Sequence, residues 1–178
     1  MHMRRSTIII GALVVSLVVI AGTYFYAKYS GDKETVESET RPVIAPEFSF
    51  PDASGKTISL ESLEGKVKIL NFWASWSPYS KEELDSLNRI QKEFGSEVVV
   101  VALSRDQYPS LGQEYLKENS IEQSIVFIFD KEDDYFKKIE GFAVPETVFL
   151  NENDEIVLHK HGPITYEEVR EQVENMLY

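Results

Sequence analysis

Two hydroxyls, Ser77 and Ser80, stand three residues apart in Trp76-Ser77-Pro78-Tyr79-Ser80, and Glu83 follows three residues later. A serine becomes a nucleophile only when a base is held within hydrogen-bond reach. The chain has three histidines to offer as bases, His2, His159 and His161, all far from this segment in sequence. A hydrolase built on Ser77 or Ser80 is therefore not expected. Cysteine is absent, which removes a thiolate nucleophile, a disulfide, dithiol exchange and a lipid-modified cysteine. His159 and His161 lie two apart in a strand pattern and so share a face. Two imidazoles still fall short of the three or four protein ligands that zinc takes. The acidic run from Asp130 to Asp134 has no glycine at the turn a calcium loop needs. Neither a metal nor a cofactor is expected.

The serine pair is framed by a strand and a helix. Val67 to Trp73 is a mostly apolar run that reads as a buried central strand. Ser77 suits a helix N-cap, where its hydroxyl would stabilise the helix by about 1 kcal/mol. Pro78 suits the first helical position, and Glu82 and Glu83 favour the positive end of the helix dipole. Leu84, Leu87, Ile90 and Phe94 recur at helical spacing, and Gly95 closes the pattern.

The same punctuation continues on both sides. Phe48 to Phe50 and Thr57 to Leu60 flank a turn-rich Pro51–Gly55, which predicts a hairpin. Val98 to Leu103 and Ile125 to Phe129 read as further strands, and Leu111 to about Asn119 and Asp134 to Ile139 as helices. Val148–Leu150 and Ile156–His159 pair around Asn151–Asp154, and Thr165 opens a last helix with Val169, Val173, Met176 and Leu177 inward. Alternating strands and helices, then a hairpin and a helix, predict a three-layer α/β/α sandwich over residues 47–178 with an N-terminal β-hairpin.

Ahead of this domain, Ile8–Ala27 is 20 residues without a charge, long enough to span a bilayer as a helix. Arg4 and Arg5 precede it, so the positive-inside rule leaves residues 1–7 in the cytoplasm and the domain outside. Tyr24, Phe25, Tyr26 and Tyr29 would form the outer aromatic belt. A cleaved signal peptide is the competing reading; the run is long for one, and no small-x-small site follows. Residues 28–46 read as a polar linker. The chain of 178 residues carries a net charge of −12, and from Lys28 onward 16 basic residues face 30 acidic ones. Such a body excludes a nucleic-acid surface, which needs Lys and Arg against phosphate.

The order of these features resembles the thioredoxin-like superfamily, and within it the membrane-anchored TlpA/ResA/DsbE-type branch. The resemblance runs from about Pro46 to Leu177. Ala45-Pro46-Glu47-Phe48 with Gly55-Lys56 resembles the branch's first hairpin. Leu63-Glu64-Gly65-Lys66-Val67 leads into Asn71-Phe72-Trp73-Ala74-Ser75-Trp76. Val144-Pro145-Glu146-Thr147 resembles its cis-proline segment, and His161-Gly162-Pro163-Ile164-Thr165 is similar to the end of the cytochrome c maturation members. The resemblance implies a transmembrane helix and thiol–disulfide exchange with partners outside the cytoplasm. It places the catalytic pair on Ser77 and Ser80, the active-site glutamate on Glu83 and the cis-proline on Pro145. Both cysteines are thus replaced, and Asp85 stands near where many relatives have a helix-bending proline. A serine hydroxyl is far less acidic than a thiol and cannot form a mixed disulfide. The expectation is a tethered, redox-inactive module that acts as a scaffold or binds a protein or peptide through Trp76, Tyr79, Val144 and Pro145, with Phe142 adding to the rim. The alternative is the oxidoreductase role that resemblance alone assigns.

Overall fold

The computed structural model describes residues 42–52 and 55–178, together with Val19, Thr23 and Tyr24. The chain divides into two units, 1–40 and 41–178. In the first, Val19, Thr23 and Tyr24 are helical, and the Thr23 hydroxyl donates to the Val19 carbonyl at 3.0 Å. The expected span at 8–27 otherwise lies outside the described residues. Among the described residues no helix is long and apolar enough to cross a membrane.

Among its described residues the second unit has seven strands and four α-helices. Strands β1 (Ser49–Pro51) and β2 (Thr57–Ser59) form the hairpin, with Ser49 opposite Ser59. The main sheet contains β3 (Val67–Trp73), β4 (Val98–Ser104), β5 (Val126–Phe129), β6 (Glu146–Asn151) and β7 (Ile156–His161), in the order β5-β4-β3-β6-β7. Strand β3 runs parallel to β4 and antiparallel to β6, and β6 runs antiparallel to β7. Helices α1 (Ser80–Phe94), α2 (Pro109–Glu118), α3 (Asp134–Lys138) and α4 (Tyr166–Leu177) flank it. Residues 43–45 pair with the β6–β7 turn: the Ala45 N–H donates to the Asp154 carbonyl at 2.8 Å, and the Ile156 N–H to the Val43 carbonyl at 2.7 Å.

Two apolar clusters make this a three-layer structure. One packs Leu84, Leu87 and Ile90 of α1, Leu116 of α2, and Val169 and Val173 of α4 onto Val67, Ile69, Trp73, Val100 and Phe149. The other packs Phe48 and Ile58, with Tyr135 and Phe136 of α3, onto Leu70, Phe72, Leu103, Val148 and Leu150. Every residue of β3 is buried, because a central strand covered on both faces has no solvent side. The alternation of side chains then decides which cluster each residue joins.

The helix boundaries have local causes. Gly95 caps α1 with φ of 57° and donates its N–H to the Gln91 carbonyl, a positive-φ conformation that glycine takes without steric penalty. Thr165 caps α4: its hydroxyl accepts from the Glu168 N–H while the Glu168 side chain accepts from the Thr165 N–H, the reciprocal box that its Thr-x-x-Glu spacing implies.

Candidate functional site

Register places the two expected halves of the site at one end of the sheet. Phe72, next to the last residue of β3, pairs with Glu146, the first residue of β6. The segment after β3 and the segment before β6 therefore emerge together. The first carries Trp76, Ser77, Tyr79 and Ser80; the second carries Phe142, Val144 and Pro145.

The turn after β3 is held by a residue that sequence reasoning missed. Asp106, buried just beyond β4, accepts from the Ser75 hydroxyl at 2.7 Å and the Ser104 hydroxyl at 2.9 Å, and from the Ser75 N–H at 3.1 Å. The Arg105 N–H donates to the Trp73 carbonyl at 2.8 Å. No spacing rule marks Asp106; the parallel β3–β4 pairing alone brings it to Ser75.

Ser77 is not the N-cap its sequence position suggests. The helix starts at Ser80 with Tyr79 as the capping residue, and no side chain makes a cap bond there. Two consecutive turns intervene: Ser77 N–H to Ala74 carbonyl at 3.1 Å, and Ser80 N–H to Ser77 carbonyl at 3.3 Å. They turn the Ser77 hydroxyl inward, where it is buried without a hydrogen-bond partner. Pro78 sits in the second turn rather than in the helix. The Ser80 hydroxyl does bond, donating to the Ala74 carbonyl at 2.8 Å. Trp76 is 67% exposed and Tyr79 50%, so the same turns that bury the serines push these rings outward.

Glu83 lies on the buried face of α1. Its Oε1 accepts from the Ile164 N–H at 3.2 Å, and its Oε2 has no partner among the described residues. Burial pushes its carboxyl up to about 7, against the opposing pull of the Asn71 side chain and the Ile164 N–H. Asn71 reaches across to Thr147, its partner in register, with Nδ2 3.1 Å from the Thr147 hydroxyl. A cavity of about 180 Å³ opens beside Glu83, lined by Tyr79, Glu82, Pro163, Ile164 and Thr165.

The Val144–Pro145 bond is cis, as the sequence predicts. Pro145 is buried, and its carbonyl accepts from the Gly162 N–H at 2.9 Å. Neither the N–H nor the carbonyl of Val144 has a partner among the described residues. Phe142, 73% exposed, lies with its ring centroid 4.2 Å from that of His161.

His159 and His161 share a face, as their spacing predicts, and the fold adds a third group that sequence reasoning missed. Glu146 pairs directly with His161 across the β6–β7 ladder, with His159 on the diagonal. Glu146 Oε2 lies 2.8 Å from His159 Nε2, and its Oε1 lies 3.2 Å from His161 Nδ1. The Phe142 and Ala143 N–H groups also donate to Oε1. Burial opposes ionisation of this carboxyl, but the two backbone donors and two imidazoles outweigh it and hold it below the usual carboxylate range. The only sequence signal was Glu146 itself, following the proline and thirteen residues ahead of His159.

Residues 43–159 match the AhpC/TSA family. The chain is 33% identical over 94 residues to the thioredoxin-like protein YneN of Bacillus subtilis, a match covering 53% of this chain and 54% of that protein. It is 29% identical to sporulation thiol-disulfide oxidoreductase A of Bacillus subtilis, over 76% of this chain and 83% of that one. It is 22% identical to the thiol-disulfide oxidoreductase ResA of Bacillus cereus, over 92% and 94% of the two chains. Among solved structures, a thiol:disulfide interchange protein DsbE from Chlorobium tepidum superposes with a TM-score of 0.72 at 21% identity, covering 77% of this chain and 97% of that one. That likeness establishes the thioredoxin-like fold.

Proposed function

This chain belongs to the AhpC/TSA family, and we propose that within it the protein is a membrane-tethered, extracytoplasmic thioredoxin-like module that captures an extended protein segment without redox chemistry. The observation that carries the reading is the Val144 backbone, without a partner among the described residues, at the end of the sheet that also carries exposed Trp76, Tyr79 and Phe142, in a chain without cysteine. An extended segment satisfies such a backbone by adding main-chain hydrogen bonds, while aromatic side chains cover it. Relatives named as thiol–disulfide oxidoreductases suggest the alternative activity. Positions 77 and 80, which the resemblance assigns to the dithiol, hold hydroxyls that cannot enter disulfide exchange.

Three measurements test this. Insulin reduction by the purified chain should stay at the buffer rate; turnover above it would restore the oxidoreductase reading. Protease added to spheroplasts should shave residues 47–178 from a retained anchor at 8–27, whereas full protection would place the domain inside. Proximity labelling from the intact protein should recover a partner whose capture is lost in Tyr79→Ala and Phe142→Ala. Capture unchanged in both variants, but abolished by substitutions on another face, would move the docking surface elsewhere.

A further inference from the structure

We propose that Glu146, His159 and His161 form a binding site for a divalent transition-metal ion, with zinc as the best match to the donor set. The three side chains each offer one ligand atom, and these atoms all lie within 4.8 Å of one another. The contact of His159 Nε2 with Glu146 Oε2, 2.8 Å, is within reach of the spacing of about 3.3 Å between ligand atoms on a tetrahedron with bonds of about 2.0 Å. Two imidazoles and one carboxylate make a donor set that zinc accepts, with the fourth position left to water or to a donor from a bound partner.

The carboxylate is already prepared for a cation. It is buried and oriented by the Phe142 and Ala143 N–H groups. Such outer hydrogen bonds are the support that metal-binding carboxylates require. Two backbone N–H groups converge on Oε1, whereas His159 alone approaches Oε2. Oε2 is therefore the oxygen with a lone pair free for an ion. As the site stands, His159 Nε2 faces Oε2 and His161 Nδ1 faces Oε1. A divalent cation takes each ring through an unprotonated nitrogen. His159 and His161 retain 20% and 39% side-chain exposure, so an ion enters without opening the core. The net charge of −12 favours its approach.

The site shares no ligand with the groove of the proposed function, so the two are separable by experiment. The full chain, purified without a histidine tag, would be titrated with ZnCl2 against a chromophoric chelator. One zinc per chain is expected. His159→Gln and His161→Gln, both partly exposed positions, should each weaken binding by more than the roughly tenfold that loss of an outer partner costs. His2→Gln and Tyr79→Ala should leave it unchanged. CoCl2 should give visible absorption bands that His159→Gln removes. Absence of stoichiometric zinc uptake at micromolar metal would overturn the site. So would unaltered affinity in both folded histidine variants, with circular dichroism confirming the fold.

Discussion

Glu83→Gln should remove the pH dependence that one buried carboxyl imposes on this fold. Its carboxyl moves from 4.5 to about 7 because burial penalises the charged form. The unfolded chain releases this proton near pH 4.5 and the folded chain near pH 7. Between those values the folded state binds more protons, so stability falls as pH rises. Below the window the protonated carboxyl sits in its pocket without penalty. Above it the full cost is felt, and at about 1.4 kcal/mol for each tenfold the loss comes to about 3 kcal/mol. Glutamine keeps the shape, offers a carbonyl to the Ile164 N–H and cannot ionise. The variant should therefore match the natural chain near pH 4 and exceed it by about 3 kcal/mol near pH 8. For a unit of this size that corresponds to roughly 10 °C in melting temperature. Thermal denaturation followed by circular dichroism across this range reads the difference directly. Parallel curves for the two proteins would refute the reasoning, because a solvated or otherwise compensated Glu83 imposes no such slope.

The other predictions concern neighbouring residues. Ser77→Ala should change stability by less than about 0.5 kcal/mol, because it removes a buried hydroxyl that bonds to nothing, whereas Ser80→Ala should cost about 1 kcal/mol through loss of its bond to the Ala74 carbonyl; equal losses in urea denaturation would return Ser77 to a capping role. Asp106→Ala should cost about 1–3 kcal/mol and loosen the Ser75–Tyr79 turn, since Ser75 and Ser104 would be left without their common acceptor; hydrogen exchange should rise at the Ser75 amide, and unchanged protection there would refute it. Glu146→Gln should show the opposite pH trend to Glu83→Gln. The Glu146 carboxyl is held below its ordinary range, so the stability it contributes is present above pH 4.5 and fades as pH falls. The variant should therefore be destabilised by roughly 2 kcal/mol at neutral pH, with the deficit shrinking in acid; a deficit independent of pH would mean the carboxylate charge is not what matters.

Patterns carried by neighbours in the chain were legible without coordinates. The 3.6-residue repeat of Leu84, Leu87 and Ile90 fixed the inner face of α1, and the apolar run at Val67–Trp73 marked a strand covered on both sides. Thr165 marked the start of α4, because a cap is set by the residue at the helix start. The absence of cysteine excluded thiol chemistry by composition alone. Where the structure departed from expectation, the deciding contact was long-range. Ser77 has the right residue type for a cap, but Asp106, 31 residues beyond Ser75, holds the preceding turn in a geometry that buries the serine hydroxyl. Glu83 reads as an ordinary first-turn acid, and only the assembled fold buries it beside Ile164, 81 residues away, from whose N–H it accepts. Two histidines on one face were readable from a period of two, whereas the carboxylate between them depended on the β6–β7 register. A one-residue slip in that pairing would turn Glu146 or the histidines to the opposite face. Local sequence sets what a segment of a few residues prefers, but burial and strand register belong to the assembled sheet, and they decided the charge of Glu83, the fate of Ser77 and the meeting of Glu146 with His159 and His161.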